Sequence, residues 1–278
     1  MKPNDLTVVT FATLGSRLGQ RDYSAALLRM RANCKRLGVE LLTSTFEGSG
    51  ISEVNFEIER EIFLRKGAGY WHWKPKVIKK ALSIAQSRYI LYLDVDLHLV
   101  SLPNFLESRE LEEVGLLAFE TNEKLSDWSS KRCLKHFQLE SDYEASIISA
   151  SLILADSTSA IALKSLDYWE NALKNRKLLL DPFWTIKTNH RHDQSVFSCL
   201  IATGSVKLCR LRQGFYQTGL NNGHNEIDNA WVIHGSLESK TEKEKLVLIH
   251  TLRSFLFHKV ELAFFLLSNH IREVVNRK

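Results

Sequence analysis

The stretch Arg88-Tyr-Ile-Leu-Tyr-Leu-Asp94-Val-Asp96-Leu-His-Leu99 is an apolar run that ends in two carboxylates one residue apart. The run predicts a buried β-strand over residues 88–93. Alternate residues of an extended chain point the same way, so Asp94 and Asp96 are expected to present their oxygens to one point. Two converging carboxylates suit a hard divalent cation, Mg²⁺ or Mn²⁺, which in turn binds a diphosphate. The alternative is a pair of solvated turn carboxylates, the commoner reason for an isolated Asp-x-Asp.

Two kinds of apolar pattern alternate along the chain around this stretch. Strand-like runs cover 6–13, 39–45, 88–93, 114–119, 147–154 and 207–211, and helix-like patterns cover 22–37, 56–66, 75–84, 157–174 and 193–202. This alternation predicts an α/β fold with a mainly parallel, Rossmann-like sheet flanked by helices. Ligands of such sheets bind beyond the carboxyl ends of the strands, where the aspartate pair falls.

The composition is ordinary for a soluble globular protein, with 44% hydrophobic and 25% charged residues among 278. The formal net charge of +5 suits a small anionic substrate or a membrane surface. It is far below the basic footprint of a nucleic-acid-binding protein, so no nucleic-acid partner is expected.

None of the four cysteines belongs to a Cys-x-x-Cys motif, and each lies in or beside an apolar segment. This placement predicts reduced core thiols rather than disulfides or a zinc site. The N-terminus carries no apolar run typical of a signal peptide, and no stretch reaches the roughly 20 apolar residues of a membrane span. A cytoplasmic location is therefore expected.

A glycine turn at 67–69 is followed by Tyr70, Trp71, Trp73, Lys74 and Pro75. A lysine at the start of a helix is a natural phosphate site, and Trp71 or Trp73 could stack on a sugar or base. The alternative is aromatic packing at a strand–helix junction.

Charged and amide groups also gather in His190-Arg191-His192-Asp193-Gln194-Ser195, at the start of a predicted helix. On an exposed helix start, Arg191, Asp193 and Gln194 would suit a sugar and its leaving group. Asp193 alternatively serves only as an N-cap. In the Gly/Asn/His-rich loop 214–236, either His224 or His234 could complete a metal shell begun by the aspartates; the alternative is a solvated histidine.

Together, Leu91-Tyr-Leu-Asp94-Val-Asp96, the preceding Gly69-Tyr-Trp-His-Trp-Lys-Pro75 and the later Arg191-His-Asp-Gln-Ser195 resemble a bacterial nucleotide-sugar glycosyltransferase of the GT-A fold. Such enzymes build capsule, O-antigen or lipooligosaccharide, and the resemblance covers roughly residues 6–212. It implies a UDP-sugar donor and a glycan or lipid-linked glycan acceptor. It also implies that Asp94 and Asp96 hold Mn²⁺ or Mg²⁺ across the diphosphate.

The resemblance assigns further roles. Asp193-Gln194 is similar to the Asp-Gln pair that lies against the donor sugar in glycogenin-type and lipooligosaccharide galactosyltransferases. Those enzymes use a late histidine as third metal ligand, which implies His224 or His234 here. Their Asn-x-Gly signature is replaced by Ser149-Ala-Ser151, so the subfamily, donor sugar and stereochemical outcome stay open.

The expected mechanism follows from charge. A cation on Asp94 and Asp96, assisted by Lys74 and Arg191, would stabilise the leaving phosphate. Asp193 would stabilise positive charge on the sugar ring or act as base on the acceptor hydroxyl. The nucleotide-binding residues are expected to be Thr10, Phe11, Ala12, Trp73, Lys74, Asp94, Val95 and Asp96.

The predicted organisation is a nucleotide-sugar-binding and catalytic domain over 1–212, an active-site loop region over 213–241 and a C-terminal helical segment over 242–278. The segment 120–146 is expected to be an acceptor-side insertion. The apolar C-terminal segment either docks on the domain or forms an interfacial helix that contacts the inner face of the plasma membrane or a partner. Rival functions are a metal-dependent phosphohydrolase or nucleotidyltransferase, and a non-catalytic nucleotide-sugar-binding protein.

Overall fold

The computed structural model describes residues 3–14, 22–45, 70–99, 101–102, 109–139, 144–179, 190–211, 216–217 and 232–234. The predictions for a helix over 56–66, for the glycine turn at 67–69, for His224 and for the segment 242–278 fall outside these residues.

A six-stranded sheet forms the centre of the described structure. The described strands are β1 (Leu6–Ala12), β2 (Glu40–Thr45), β3 (Tyr89–Leu93), β4 (Leu97–Leu99), β5 (Leu116–Lys124), β6 (Ser146–Asp156), β7 (Cys209–Leu211), β8 (Tyr216–Gln217) and β9 (Val232–His234). The central order is β2-β1-β3-β6-β5-β7, and β4, β9 and β8 form a separate three-stranded sheet. In the central sheet only β6 runs antiparallel to the other five strands. The prediction of a mainly parallel sheet is confirmed.

Helices cover both faces of this sheet. They are α1 (Ser24–Leu37), α2 (Lys74–Ile84), α3 (Arg109–Val114), α4 (Lys131–His136), α5 (Ala160–Leu173), α6 (Arg176–Leu179) and α7 (His192–Ala202), with 3₁₀ turns at Pro3–Asp5 and Ser126–Trp128. Strand residues alternate between the two faces. Ile90 and Tyr92 of β3 therefore join the core cluster under α2, α5 and α7, whereas Leu91 and Leu93 join the opposite cluster with α1 and α3.

Local sequence chemistry sets several element ends. Gly38, at φ 70°, ends α1 in the left-handed conformation. Pro75 lies in the first turn of α2, as its sequence position predicts. The hydroxyl of Ser159 caps α5 by accepting a hydrogen bond from the amide of Ala162. The four cysteines are buried free thiols, as expected.

One loop prediction was wrong, and a second segment is more regular than its sequence indicated. The segment 120–146, predicted to be an acceptor-side insertion, contains the end of β5, the 3₁₀ turn Ser126–Trp128 and α4. Its acceptor-side role stays a prediction. Its polar residues alternate along β5 where that strand emerges from the core, which weakened the sequence signal. The loop over 214–236 contains the short strands β8 and β9.

Among the helices that the structure describes, none is long and apolar enough to cross a bilayer.

Gly115, between α3 and β5, should be the glycine least tolerant of a side chain among those the structure describes. Its φ is +70°, and an added Cβ would overlap the side chain of the α5 cap Ser159. Gly115→Ala is expected to lower the free energy of unfolding by about 3 kcal/mol, from backbone strain plus displacement of the cap. Gly204→Ala is the matched control, because Gly204 has φ +74° but no atom of the described residues lies within 4 Å of the added Cβ. Equal losses of stability in urea unfolding would contradict the steric argument.

Candidate active site

The carboxyl ends of β1 and β3 meet at one edge of the central sheet. Val9 of β1 pairs with Tyr92 of β3 in parallel register. The hydroxyl of Thr10 donates a hydrogen bond to the carbonyl of Leu93 at 2.7 Å, and the amide of Asp94 donates to the carbonyl of Ser151 in β6 at 2.8 Å. The chain is therefore fixed on both sides at the point where Asp94 leaves the sheet.

Asp94 and Asp96 lie in a tight turn, not on an extended strand. β3 ends at Leu93, and the amide of Leu97 donates to the carbonyl of Asp94 at 2.9 Å. The prediction that strand alternation aligns the two carboxylates was therefore wrong in its geometry. Hydrogen bonding closes the turn immediately after the strand, and it keeps both aspartates half-buried at the same edge.

Lys74 is the centre of a buried charge cluster at this edge. Its side chain is only 4% exposed, and its Nζ lies 3.1 Å from Oδ1 of Asp94 and 3.3 Å from Oδ2 of Asp193. The same Nζ donates to the carbonyl of Ala150 at 3.1 Å. Burial alone would lower the pKa of Lys74, but the two carboxylates raise it above its ordinary value. The group is therefore an ammonium at neutral pH, directed at carboxylates.

Asp193 lies in the first turn of α7 and is almost completely buried. The interpretation of Asp193 as an N-cap was wrong: the cap position is Arg191, and among the described residues no side chain caps the helix. The expectation of an exposed helix start was also wrong, since His190, His192 and Asp193 are all buried. Oδ2 of Asp193 is within ion-pair distance of Lys74 but accepts no hydrogen bond from the described residues.

Burial raises the pKa of Asp193 from its ordinary 3.8 to about 7, against the opposing pull of Lys74. A buried carboxylate whose charge is incompletely compensated is a candidate for proton transfer or for stabilising positive charge. The indole of Trp169 anchors this turn by donating to the carbonyl of Asp193 at 3.3 Å.

Tyr92 is a site residue that the sequence interpretation missed. Its hydroxyl donates a short hydrogen bond to Oδ1 of Asp94. Burial, together with Asp94, raises the pKa of Tyr92 well above its ordinary value, so the phenol stays a proton donor. Its position near the end of β3, two residues before Asp94, was the available signal.

Strained aromatic residues lie next to the charge cluster. Tyr70, Trp71 and His192 have φ of 57°, 59° and 45°, in the left-handed region that side chains seldom adopt. The ring of His192 lies 4.5 Å from that of Tyr70 and 6.0 Å from that of Trp71, and Lys74 Nζ lies 6.0 Å from the Trp71 ring. Such strain tends to collect at functional sites.

The remaining residues predicted to bind nucleotide occupy mixed environments. Trp73 is buried against Phe11, with ring centroids 4.0 Å apart, so it packs in the core; Trp71 is half-buried. Ala12 and Val95 are buried, and the hydroxyl of Thr10 is used to hold β3.

Arg191 is already paired. Its guanidinium contacts both carboxylate oxygens of Glu123, at 2.6 and 2.9 Å, and stacks on Trp128 with 3.8 Å between guanidinium carbon and ring centroid. Glu123 and Trp128 lie more than 60 residues before Arg191, in the segment predicted to be an insertion, and no local sequence pattern pairs them with Arg191. Gln194 follows Asp193 on α7 and is half-buried.

A strand pairing brings His234 close to the aspartate turn. β4 follows Asp96 directly, and Leu97 is the antiparallel partner of His234 in β9. Opposed residues of antiparallel strands have Cα atoms about 4.5–5.5 Å apart. The described residues contain no ready group of three or more His, Cys, Asp or Glu side chains that could hold a metal. Even so, the carboxylates of Asp94 and Asp96 supply hard oxygen donors that suit Mg²⁺ or Mn²⁺.

No protein-family model matches the chain, and no curated protein sequence does so either. Among solved structures, it is similar to the crystal structure of a glycosyltransferase involved in the glycosylation of the major capsid of PBCV-1. The TM-score is 0.47, with 12% sequence identity over 87% of this chain and 99% of that chain.

Proposed function

We propose that the protein is a metal-dependent glycosyltransferase of the GT-A type. It would move a hexose or related sugar from a UDP-sugar to a saccharide or lipid-linked glycan acceptor in surface polysaccharide synthesis. The observation that carries this proposal is the cluster at the carboxyl edge of β1 and β3, where Asp94 and Asp193 lie 3.1 and 3.3 Å from one buried ammonium. A strand-end site with both an aspartate turn and a buried carboxyl group of raised pKa suits the charges of glycosyl transfer.

Cleavage of a sugar–diphosphate bond builds negative charge on the leaving phosphate and positive charge on the sugar ring. A bound divalent cation supplies electrostatic stabilisation of the leaving diphosphate. Asp94 and Asp96 would hold it, with His234 the better-supported candidate for a third ligand because β9 pairs with the strand after Asp96.

The protein's own residues would orient the metal ligands, stabilise the sugar ring and bind the sugar. Tyr92 and Lys74 fix the orientation of the Asp94 carboxylate. Asp193 in its ionised form would stabilise positive charge on the ring or accept the proton of the acceptor hydroxyl. Trp71, half-buried beside Lys74, is better placed than Trp73 to stack on a sugar, because Trp73 lies in the core. The cytoplasmic location and a membrane contact through residues 242–278 stay predictions.

The test is a thermal-shift screen of UDP-sugars and other nucleotide sugars, with and without Mn²⁺. A ligand that binds only the folded state at 100 times its Kd stabilises that state by about 2.7 kcal/mol, so the donor should raise Tm by several degrees. We expect this shift to require Mn²⁺, and UDP to be released when the donor is incubated with enzyme.

Release of pyrophosphate from nucleoside triphosphates, without UDP release from any donor, would instead identify a nucleotidyltransferase. Donor binding with no UDP release in the presence of a range of glycan acceptors would favour a non-catalytic binding protein.

A further inference from the structure

The position of Lys74 in the site indicates a role other than phosphate binding. It occupies the first residue of α2, with its side chain 4% exposed, and its ammonium straddles the Asp94 carboxylate at 3.1 Å from Oδ1 and 3.3 Å from Oδ2. A lysine meant to bind a phosphate would direct its ammonium towards the ligand. Here the charge is turned inward, against the same oxygens that a divalent cation would need.

The ammonium is also shared. Oδ2 of Asp193 lies 3.3 Å from the same Nζ, and the carbonyl of Ala150 accepts a further hydrogen bond at 3.1 Å. Two carboxylates around one ammonium leave a net negative charge that can still attract a cation. If Asp193 lost its charge, the ammonium would neutralise Asp94 more completely.

We propose that Lys74 is a positioning residue and an internal counter-ion of Asp94, which orients Asp94 and Asp193 and competes with a divalent cation for Asp94. Lys74 would thus set the metal affinity, and Asp193 would tune it through Lys74 without contacting the metal. This inference rests on the proposed metal-dependent function.

The competition has a distinctive consequence, because removing a neighbouring positive charge strengthens the attraction of a carboxylate for a cation. Lys74→Met is expected to lower the Kd for Mn²⁺ at least tenfold, which corresponds to about 1.4 kcal/mol. The same variant should lower kcat for sugar transfer at least tenfold, since Asp94 and Asp193 lose the group that orients them. A merely structural defect would not tighten metal binding while it slows turnover.

Asp193→Asn should act in the opposite direction. The ammonium then has one ionised partner instead of two, so the Kd for Mn²⁺ should rise several-fold. The double variant K74M/D193N should bind Mn²⁺ with the Kd of Lys74→Met, because Asp193 acts through Lys74.

Lys79→Met is the matched control. Lys79 belongs to the same helix and is also paired with two carboxylates, Asp167 and Glu170, but this group is partly exposed and lies outside the cluster around Asp94. Its loss should leave the Kd for Mn²⁺ unchanged.

The measurement is calorimetric titration of the full chain with Mn²⁺ alone, at mildly alkaline pH and constant ionic strength, with Tm recorded for every variant. A Kd for folded Lys74→Met that equals or exceeds the wild-type value would overturn the inference while leaving the proposed function in place. If Lys74→Met does not fold, Asp193→Asn decides: weaker binding supports the competition, and equal or tighter binding overturns it. Failure of the wild-type protein to bind Mn²⁺ would overturn both this inference and the proposed function.

Discussion

Asp94→Asn should lower kcat/KM for sugar transfer about 10³-fold and abolish the Mn²⁺-dependent part of donor binding. The asparagine keeps the shape of the side chain but removes the charge that both Lys74 and a divalent cation require. It leaves the ammonium of Lys74, which is nearly inaccessible to water, with Asp193 as its remaining carboxylate partner. Asp94 is also the acceptor of the Tyr92 hydroxyl, so the substitution disturbs an arrangement of three side chains at once.

The matched control is Asp167→Asn, which removes a more exposed aspartate that pairs with Lys79 on the outer surface of α2. Surface pairs of this kind contribute about 0–1 kcal/mol, so the control should keep wild-type activity and Tm. Steady-state kinetics and donor titrations with and without Mn²⁺ provide the comparison. Metal-dependent donor binding that survives in Asp94→Asn would show that Asp94 is not the metal anchor.

Asp193→Asn is expected to lower kcat by about 10²–10⁴, the range associated with loss of a general base or of a charge that acts in the transition state. In the wild-type protein, burial raises the pKa of Asp193 to about 7. The active carboxylate is therefore the form present above that pH, and kcat/KM should rise as pH increases through about 7. The residual activity of Asp193→Asn should lack this rise. A pH profile of unchanged shape in the variant would exclude Asp193 as the titrating group.

The same pKa shift affects stability with a definite sign. Between its ordinary pKa of 3.8 and about 7, Asp193 is ionised in the unfolded chain but holds its proton in the folded protein. The folded state binds more protons over this window, so the contribution of Asp193 to stability falls as pH rises through it. Asp193→Asn removes this pH-dependent contribution to stability. The Tm of the wild-type protein relative to the variant should therefore decrease from pH 4 to pH 7, as thermal denaturation can check.

Local patterns in the sequence predicted the elements that present the site. The apolar run before Asp94 predicted β3, and its position at the carboxyl end of a parallel strand predicted a ligand edge. The aromatic-lysine turn predicted the start of α2, and Asp193 was placed correctly in the first turn of a helix. The predictions of β3 and of the two helix starts succeeded because strand alternation, helix periodicity and proline position act over a few residues. The ligand edge stays a prediction.

The partners of the charged residues could not be predicted in the same way. Lys74 was expected to face a phosphate and Arg191 a leaving group, but the structure pairs Lys74 with Asp94 and Asp193, and Arg191 with Glu123. Each pair joins side chains from different elements, and the sequence contains no local signal for which elements will touch. The approach of His234 to Asp96 likewise depends on the pairing of β4 with β9.

Neighbouring residues were enough to predict that an aspartate pair follows a buried strand of an α/β sheet, and that a lysine and a second acidic group lie at the starts of two helices. The meeting of these groups in one buried cluster, where one ammonium contacts two carboxylates, is visible only in the folded protein. Periodicity is a property of neighbouring residues, whereas the charge state and orientation of a buried group depend on every element that packs against it.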